Sequence, residues 1–134
     1  MNTNKKTGNT FERQLCAALA KEGFWAHNMT QSAQGQPFDV LAARNGVSHP
    51  IDCKDCAKNV FKLERMEENQ IYAMTAWKQT GNGESWFALR LNTGEVYMIP
   101  FSVLETMQVE MSTIGEHGIR TSGIPLSEWV KQCK

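Results

Sequence analysis

Two aspartates and a lysine are spaced so that all three could lie on one face of a β-hairpin. Asp52 and Lys54 form a D-x-K within "PIDCK", and Asp39 lies upstream in "PFDVLAA". Alternate residues of a strand project to the same face, so Asp52 and Lys54 share one. Carboxylate oxygens bind Mg²⁺ or Mn²⁺, and a neighbouring lysine can stabilise charge on an attacked phosphorus. Such a cluster suits the hydrolysis of phosphodiester bonds.

The dipeptide Asn45-Gly46 predicts how the two aspartates meet. Asn-Gly is the preferred pair of a two-residue type I′ hairpin turn, and this register places Asp39 opposite Asp52. The position is of the non-hydrogen-bonded type, with Cα atoms ~4.5 Å apart, and Pro50 falls at another such position, where no N–H is needed. Facing carboxylates repel each other, so three interpretations stay open: a solvated polar pair, a protonated carboxyl, or a divalent cation between them.

The same stretch contains a C-x-x-C, formed by Cys53 and Cys56. A structural zinc site takes four ligands, usually in two spaced pairs, whereas Cys16 and Cys133 are isolated. A thioredoxin-like motif would open a helix after a strand, whereas Cys53 falls inside a predicted strand. Metal or redox use of the pair is therefore disfavoured, and His49 is expected on the strand face of Cys53, away from the aspartates.

Gln70 and Glu12 are further candidates, each with two interpretations. Gln70 interrupts an apolar stripe of its helix; it is either a core amide satisfied by nearby backbone or an amide that orients water or phosphate beside the carboxylates. Glu12 lies in the first turn of a helix, where it either favours the helix dipole or supplies a third carboxylate.

The elements that must position these residues follow from periodicity and turn signals. The pattern predicts a helix begun by Thr10, a strand, the Asn45-Gly46 hairpin, a second helix, and a hairpin around residues 92–94. The predicted helices span residues 10–22, 61–79 and 102–108, with a last helical turn or two in "LSEWVKQ". This order indicates a mixed α/β sandwich.

Length and composition are those of one globular domain. The chain has 134 residues, 41% of them hydrophobic, and equal numbers of basic and acidic residues, 14 of each. A neutral chain can still bind nucleic acid through a local basic stripe. No apolar run approaches the ~20 residues of a membrane helix, and the N-terminus lacks the apolar core of a secretion signal. We expect a cytoplasmic location, no membrane partner, and free thiols at the cysteines.

Taken together, the motifs resemble the PD-(D/E)XK nuclease superfamily, and most closely the small archaeal-type Holliday-junction resolvases and their phage relatives. The matching segments are "GNTFERQLCAALAKEGFWA", "PFDVLAA", "PIDCK" and "ENQ", in that order. The resemblance implies a restriction-endonuclease-like αβββαβ core with a mixed central sheet flanked by helices. With no repeat or linker in the sequence, we expect one nuclease domain over residues 1–134, with a flexible arm at 1–9 and a C-terminal extension at 110–134, a region in which no motif of the family is matched.

The resemblance assigns the metal site to four residues. Asp39 would be the central ligand of Mg²⁺ or Mn²⁺, and Asp52 the second carboxylate, with the backbone carbonyl of Cys53 assisting. Glu12 would be the first-helix acid acting on the metal or its water. Two departures are visible: Asp52 stands where these resolvases more often have Glu, and Phe38 separates Pro37 from the aspartate.

The remaining roles implied by the resemblance concern catalysis and DNA. Lys54 would be the catalytic lysine and Gln70 the helix glutamine near the site. Ser32 is the candidate loop serine close to the cleavage centre, and the arm residues Lys5 and Lys6 are candidates for contact with DNA backbone.

The function expected from this resemblance is that of a metal-dependent DNA endonuclease of the kind that resolves Holliday or other branched junctions, acting as a homodimer on branched or duplex DNA. It would work in the cytoplasm, or in the host cytoplasm if the chain is phage-encoded. The alternatives are a nuclease for non-junction DNA and a catalytically silent nucleic-acid-binding or assembly module with the same fold.

Overall fold

The structure, a computed structural model, describes residues 3–29 and 35–133, with side chains from residue 10 onward in the first range. The helices are α1 Thr3–Lys21, α2 Glu68–Gln79, α3 Phe101–Glu110, α4 Glu116–Ser122 and α5 Leu126–Gln132. The strands are β1 Trp25–Asn28, β2 Val40–Arg44, β3 Val47–Cys56, β4 Phe61–Lys62, β5 Trp86–Leu91, β6 Val96–Pro100, β7 Thr113–Ile114 and β8 Ile124–Pro125. A 3-10 turn, Leu63–Arg65, follows β4.

A six-stranded mixed sheet forms the centre, in the order β1-β2-β3-β5-β6-β8. Its neighbours are antiparallel except β3 and β5, which run parallel because α2 lies between them in the chain. Strands β4 and β7 form a separate two-stranded sheet. The succession α1, β1 to β3, α2 and β5 confirms the predicted αβββαβ core and mixed sheet.

The two faces of the sheet bury two apolar clusters. Helices α1 and α5 pack on one face, where Leu19, Ile51 and Trp129 are almost fully buried. Helices α2, α3 and α4 contribute to the cluster on the other face, which contains Met74 and Phe87. Since residues of β3 alternate between these faces, a side chain on this strand belongs to one layer or the other by its number.

Local turn chemistry determines the two hairpins. Asn45 and Gly46 both have positive φ, at 55° and 81°, as a type I′ turn requires. The β2–β3 register pairs Arg44 with Val47 and Val40 with Ile51, which confirms the predicted pairing. In the second hairpin Gly94 has φ of 92° and closes the predicted loop of residues 92–94.

Two predicted boundaries are wrong. Helix α1 begins at Thr3, not Thr10, so residues 3–9 of the predicted flexible arm are helical. Helix α2 begins at Glu68, not Phe61, because Phe61 pairs across β4 and β7 with the distant Ile114. The region predicted as a C-terminal extension supplies β8, which pairs with β6 at the edge of the central sheet.

None of the helices within the described ranges is both long enough and apolar enough to cross a bilayer.

Candidate active site

Asp39 lies where the β2–β3 ladder ends, and its side chain takes part in the strand pairing. The paired register stops at Val40 and Ile51, and the Asp39 N–H donates to the Ile51 carbonyl at 3.0 Å. The N–H of Cys53 then donates to Asp39 Oδ2 at 2.8 Å. Asp39 and Asp52 were expected to pair directly across the two strands, but the regular pairing ends one residue before them. The partner of the Cys53 N–H is the Asp39 carboxylate instead of a backbone carbonyl.

Asp52 is fully buried and contacts two of the predicted site residues. Gln70 Nε2 donates to its Oδ1 at 2.9 Å. Lys54 Nζ lies 3.2 Å from Oδ2, as an ion pair without hydrogen-bond geometry. The D-x-K alternation therefore places the lysine on the side of its aspartate, as the sequence predicts.

Glu12 is the third carboxyl of the site. It is buried on α1 with 8% of its surface exposed, and burial together with the charge of Asp39 and a hydrogen bond to it raises the pKa of Glu12 to about 8. Burial and the charge of Asp39 also raise the pKa of Asp52, against the lowering effect of Lys54. Asp39 therefore lies between the other two acids.

These surroundings exclude one of the three interpretations of the aspartates. Asp39 is 6% exposed and Asp52 is 0% exposed, so they are not a solvated polar pair. Bringing ionised carboxylates together away from water is costly unless a proton or a cation compensates. A protonated carboxyl and a bound cation remain as the two ways to stabilise the cluster.

Gln70 is a buried amide satisfied by nearby backbone, as its first interpretation predicts, and it also contacts a carboxylate of the site; its orientation of water or phosphate stays a prediction. It is the N3 residue of α2, and its Oε1 accepts the N–H of Glu67 at 3.1 Å in a capping box. The other end of the same amide donates to Asp52. Helix geometry and carboxylate orientation are thus set by one side chain.

Two site residues were missed by sequence reasoning. Gln36 Nε2 donates to Asp39 Oδ1 at 2.6 Å, and Asn69 Nδ2 donates to the Gln36 carbonyl at 2.9 Å. Asn69 stands beside Gln70 in "ENQ", but no periodicity or turn signal in the sequence pairs it with a loop 33 residues away. The contact depends on how the loop packs against α2.

The donor set fits a small hard cation, although the described residues contain no group of three or more His, Cys, Asp or Glu side chains arranged to hold a metal. Mg²⁺ commonly uses only one or two carboxylates, with water and substrate phosphate completing its ligands. Asp39 and Asp52 provide two such groups, and Asp52 Oδ2, which is buried and lies 3.2 Å from Lys54 Nζ, has no partner of full hydrogen-bond geometry among the described residues. A cation near this oxygen would relieve the crowding of negative charge.

The cysteines lie apart from this chemistry. Cys53 packs in the cluster beneath α1 and Cys56 in the opposite cluster, because an odd separation along a strand reverses the face. Both are free thiols, as are Cys16 and Cys133. The C-x-x-C therefore cannot form a chelating pair in this strand.

Three predicted DNA contacts cannot be placed. Ser32 lies outside the residues that the structure describes, and for Lys5 and Lys6 the structure describes the backbone but not the side chains.

An αβββαβ core carrying Asp39, Asp52 and Lys54 at the opening of two strands defines a nuclease of the PD-(D/E)XK type. The family model described as archaeal Holliday junction resolvase (Hjc) matches residues 3–134. The chain belongs to this family. It is 27% identical over 96 residues to the crossover junction endodeoxyribonuclease Hjc of Methanocaldococcus jannaschii, covering 72% of this chain and 68% of that protein.

Solved structures agree on the fold. Hjc from Archaeoglobus fulgidus, a Holliday junction resolvase, superposes with a TM-score of 0.70 at 22% identity, covering 93% of this chain and 96% of that one. The bacterial homing endonuclease I-Ssp6803I has a TM-score of 0.61 at 12% identity, covering 85% of this chain and 78% of that one. Both likenesses place the chain among restriction-endonuclease-like folds.

Proposed function

We propose that this chain is a metal-dependent endodeoxyribonuclease that cuts branched DNA at Holliday-type junctions. The observation that supports it most is the pair of buried acids Asp39 and Asp52, with Lys54 Nζ 3.2 Å from the Asp52 carboxylate. Family membership supports the same conclusion, because a relative bears the name crossover junction endodeoxyribonuclease.

Mg²⁺ or Mn²⁺ would be held by Asp39 and Asp52, with the Cys53 carbonyl and Glu12 as further oxygen donors. When bound, such a cation supplies charge to a phosphodiester oxygen and lowers the pKa of a bound water. Cys53 N–H and Gln36 hold the Asp39 carboxylate in place, and Gln70 holds that of Asp52. Orienting contacts of this kind tune how a carboxylate binds a metal.

Two side chains would take part in the hydrolysis itself, beside the residues that hold the cation. Lys54 lies beside Asp52 with its side chain only 11% exposed, so its charge is poorly screened and can stabilise the negative phosphorane-like oxygen as water attacks phosphorus. Glu12, which hydrogen-bonds to Asp39, would accept a proton from the attacking water at its carboxylate oxygen, because a bound cation favours the ionised form. As the new bond from the water oxygen to phosphorus forms, the bond from phosphorus to the leaving oxygen breaks, and solvent water gives the leaving oxygen its proton.

Symmetric cutting of a junction requires two sites, so we propose a homodimer. Large apolar side chains remain exposed on the described surface, among them Trp25 at 62% and Tyr72 at 78%. Exposed aromatic residues are typical of protein interfaces. Ser32, Lys5 and Lys6 remain proposed contacts to DNA, and the free cysteines fit a reducing, cytoplasmic compartment.

The test is cleavage of four-way junction, duplex and single-stranded DNA with Mg²⁺, Mn²⁺ or EDTA. We expect junction cleavage that needs the metal and disappears in Asp39→Ala and in Lys54→Ala. Full activity in EDTA or in Asp39→Ala would overturn the mechanism. Preference for duplex would indicate a nuclease for other DNA, and binding without cutting would indicate a silent module.

A further inference from the structure

The residues just before β2 make a specific contact with the central carboxylate. Gln36 Nε2 donates to Asp39 Oδ1 at 2.6 Å, while Cys53 N–H occupies the other oxygen at 2.8 Å. An ionised carboxylate has about four lone-pair positions. Both oxygens of Asp39 therefore have a fixed donor, and their remaining lone pairs are shared with Glu12 and Asp52, which hydrogen-bond to Asp39 in the metal-free protein.

The contact is anchored from the opposite side of the site. Asn69, in the first turn of α2, donates to the Gln36 carbonyl at 2.9 Å. The next residue, Gln70, donates directly to Asp52 at 2.9 Å. One helical turn thus holds both aspartates, Asp52 through one side chain and Asp39 through the chain Asn69–Gln36.

The backbone at Gly35 is shaped for this arrangement. Its φ of +80° is one that L side chains rarely adopt, and a Cβ placed there would come within 2.9 Å of Asn69 Nδ2. A glycine at this position therefore lets the Asn69 amide approach the loop closely. The fit of Gly35, Gln36 and Asn69 to one another indicates a built contact rather than a chance surface bond.

We propose that Gln36 is a positioning residue that orients Asp39 for the cation, and that Asn69 is the anchor that holds Gln36 in register. The proposal rests on the proposed function and adds to it the outer contacts of the metal site. Outer hydrogen bonds to a ligating carboxylate fix its direction, and their loss commonly lowers metal affinity by about 10- to 100-fold. Loss of Asn69 should act through the same contact.

The test is Mn²⁺ binding to the full chain by calorimetry, without DNA, for Gln36→Ala, Asn69→Ala and the double variant. We expect each single variant to bind Mn²⁺ about tenfold more weakly or worse, and the double variant to bind no more weakly than the weaker single one, because the two act in series. Gln79→Ala, at the exposed end of α2, is the matched control and should bind like the wild type.

Cleavage adds a second readout that a merely structural effect would not give. Raising Mn²⁺ should restore the cleavage rate of Gln36→Ala at saturating DNA, with its melting temperature close to that of the wild type. Wild-type Mn²⁺ affinity in Gln36→Ala, or additive losses in the double variant, would overturn the inference while leaving the proposed function intact. Asp39→Asn identifies a further failure: if it binds Mn²⁺ as tightly as the wild type, the ion lies elsewhere and this inference falls. A wild type that neither binds Mn²⁺ nor cuts junction DNA in its presence would overturn the proposed function as well.

Discussion

Gln70 joins the start of a helix to the carboxylate of Asp52 through the two ends of one amide. Its Oε1 accepts the Glu67 N–H at 3.1 Å and its Nε2 donates to Asp52 Oδ1 at 2.9 Å. Because the first bond fixes the side-chain rotamer, the second is directed without further support. The structural and functional roles of this glutamine can therefore be separated by comparing a variant that loses both bonds with one that weakens the helix cap alone.

Gln70→Ala should lower both stability and cleavage. It removes half of the capping box and leaves a buried carboxylate oxygen unpaired, at a cost of about 1–3 kcal/mol in the free energy of unfolding. Glu67→Ala is the matched variant, since it removes the other half of the box at about 0.5–2 kcal/mol and leaves the Asp52 bond in place. Urea denaturation and junction cleavage measure the two effects.

In that comparison, Glu67→Ala should cut at close to the wild-type rate below its melting temperature, whereas Gln70→Ala should be slower. Equal rates for the two variants would mean that Gln70 acts on the helix alone.

Lys54→Ala should abolish most of the cleavage while leaving the metal in place. The lysine is the cation nearest Asp52, at 3.2 Å, among the described side chains. Removing a charge that stabilises the attacked phosphate typically costs about 10²- to 10³-fold in rate. Cation affinity should stay the same or rise, because a like charge has been removed.

Single-turnover cleavage and Mn²⁺ titration separate these two quantities. Lys78→Ala, exposed on the last turn of α2, is the control for loss of one positive charge. A Lys54→Ala rate within threefold of the wild type would refute the catalytic role of the lysine.

How far the sequence predicts this molecule depends on the range of the interactions. Asn45-Gly46 determines the β2–β3 register by local turn chemistry, and strand alternation places Lys54 beside Asp52; both follow from residues close in the chain. The β4 strand at Phe61 was instead predicted as helix, because its partner Ile114 lies far along the chain.

The site divides in the same way. Residues on regular elements, such as Asp52 and Gln70, were predicted because periodicity gives their direction. Gln36 was not, because its side chain lies in a loop whose path is set by packing against Asn69. The end of the regular strand pairing at Asp39 could not be predicted from the sequence either, because it depends on a carboxylate competing with the backbone for the Cys53 N–H.

Replacing both cysteines of the C-x-x-C should leave the chemistry intact. Cys53 offers the site only its backbone N–H, seen in the contact with Asp39, and its proposed carbonyl contact. Cys53→Ala and Cys56→Ala should each lower the free energy of unfolding by about 1–2 kcal/mol, since each removes a buried sulfur from a packed cluster. The rate of metal-dependent cleavage should stay within about threefold of the wild-type rate, a change of under about 1 kcal/mol in the activation free energy.

Chemical unfolding and cleavage of the same preparations give the comparison, with Cys16→Ala as a control for loss of a half-buried thiol. A folded Cys53→Ala protein that no longer cuts would assign the thiol itself a role.

The metal-free protein should lose stability as pH rises. Burial and Asp39 raise the pKa of Glu12 to about 8 from an ordinary 4.5, so between these values the folded state binds more protons than the unfolded state. The free energy of unfolding then falls with pH in this window and levels off above the folded-state value. The raised pKa of Asp52 acts in the same direction.

His49 acts oppositely, because burial lowers its pKa and its neutral form is favoured as pH rises toward the ordinary value of 6.5. The measurement therefore belongs above neutrality, from about pH 7 to 8, where the imidazole is neutral in both states. At higher pH the buried and half-buried thiols, whose pKa values are raised from 9.0, would add their own loss of stability. Urea denaturation in EDTA should show a falling curve for the wild type and a shallower one for Glu12→Gln, which has no carboxyl to ionise. Adding Mn²⁺ should restore stability most at the alkaline end, since the cation binds the ionised carboxylates and so favours the folded state. A wild-type curve as shallow as that of Glu12→Gln, with no gain from Mn²⁺, would show that Glu12 does not carry a raised pKa beside a cation site.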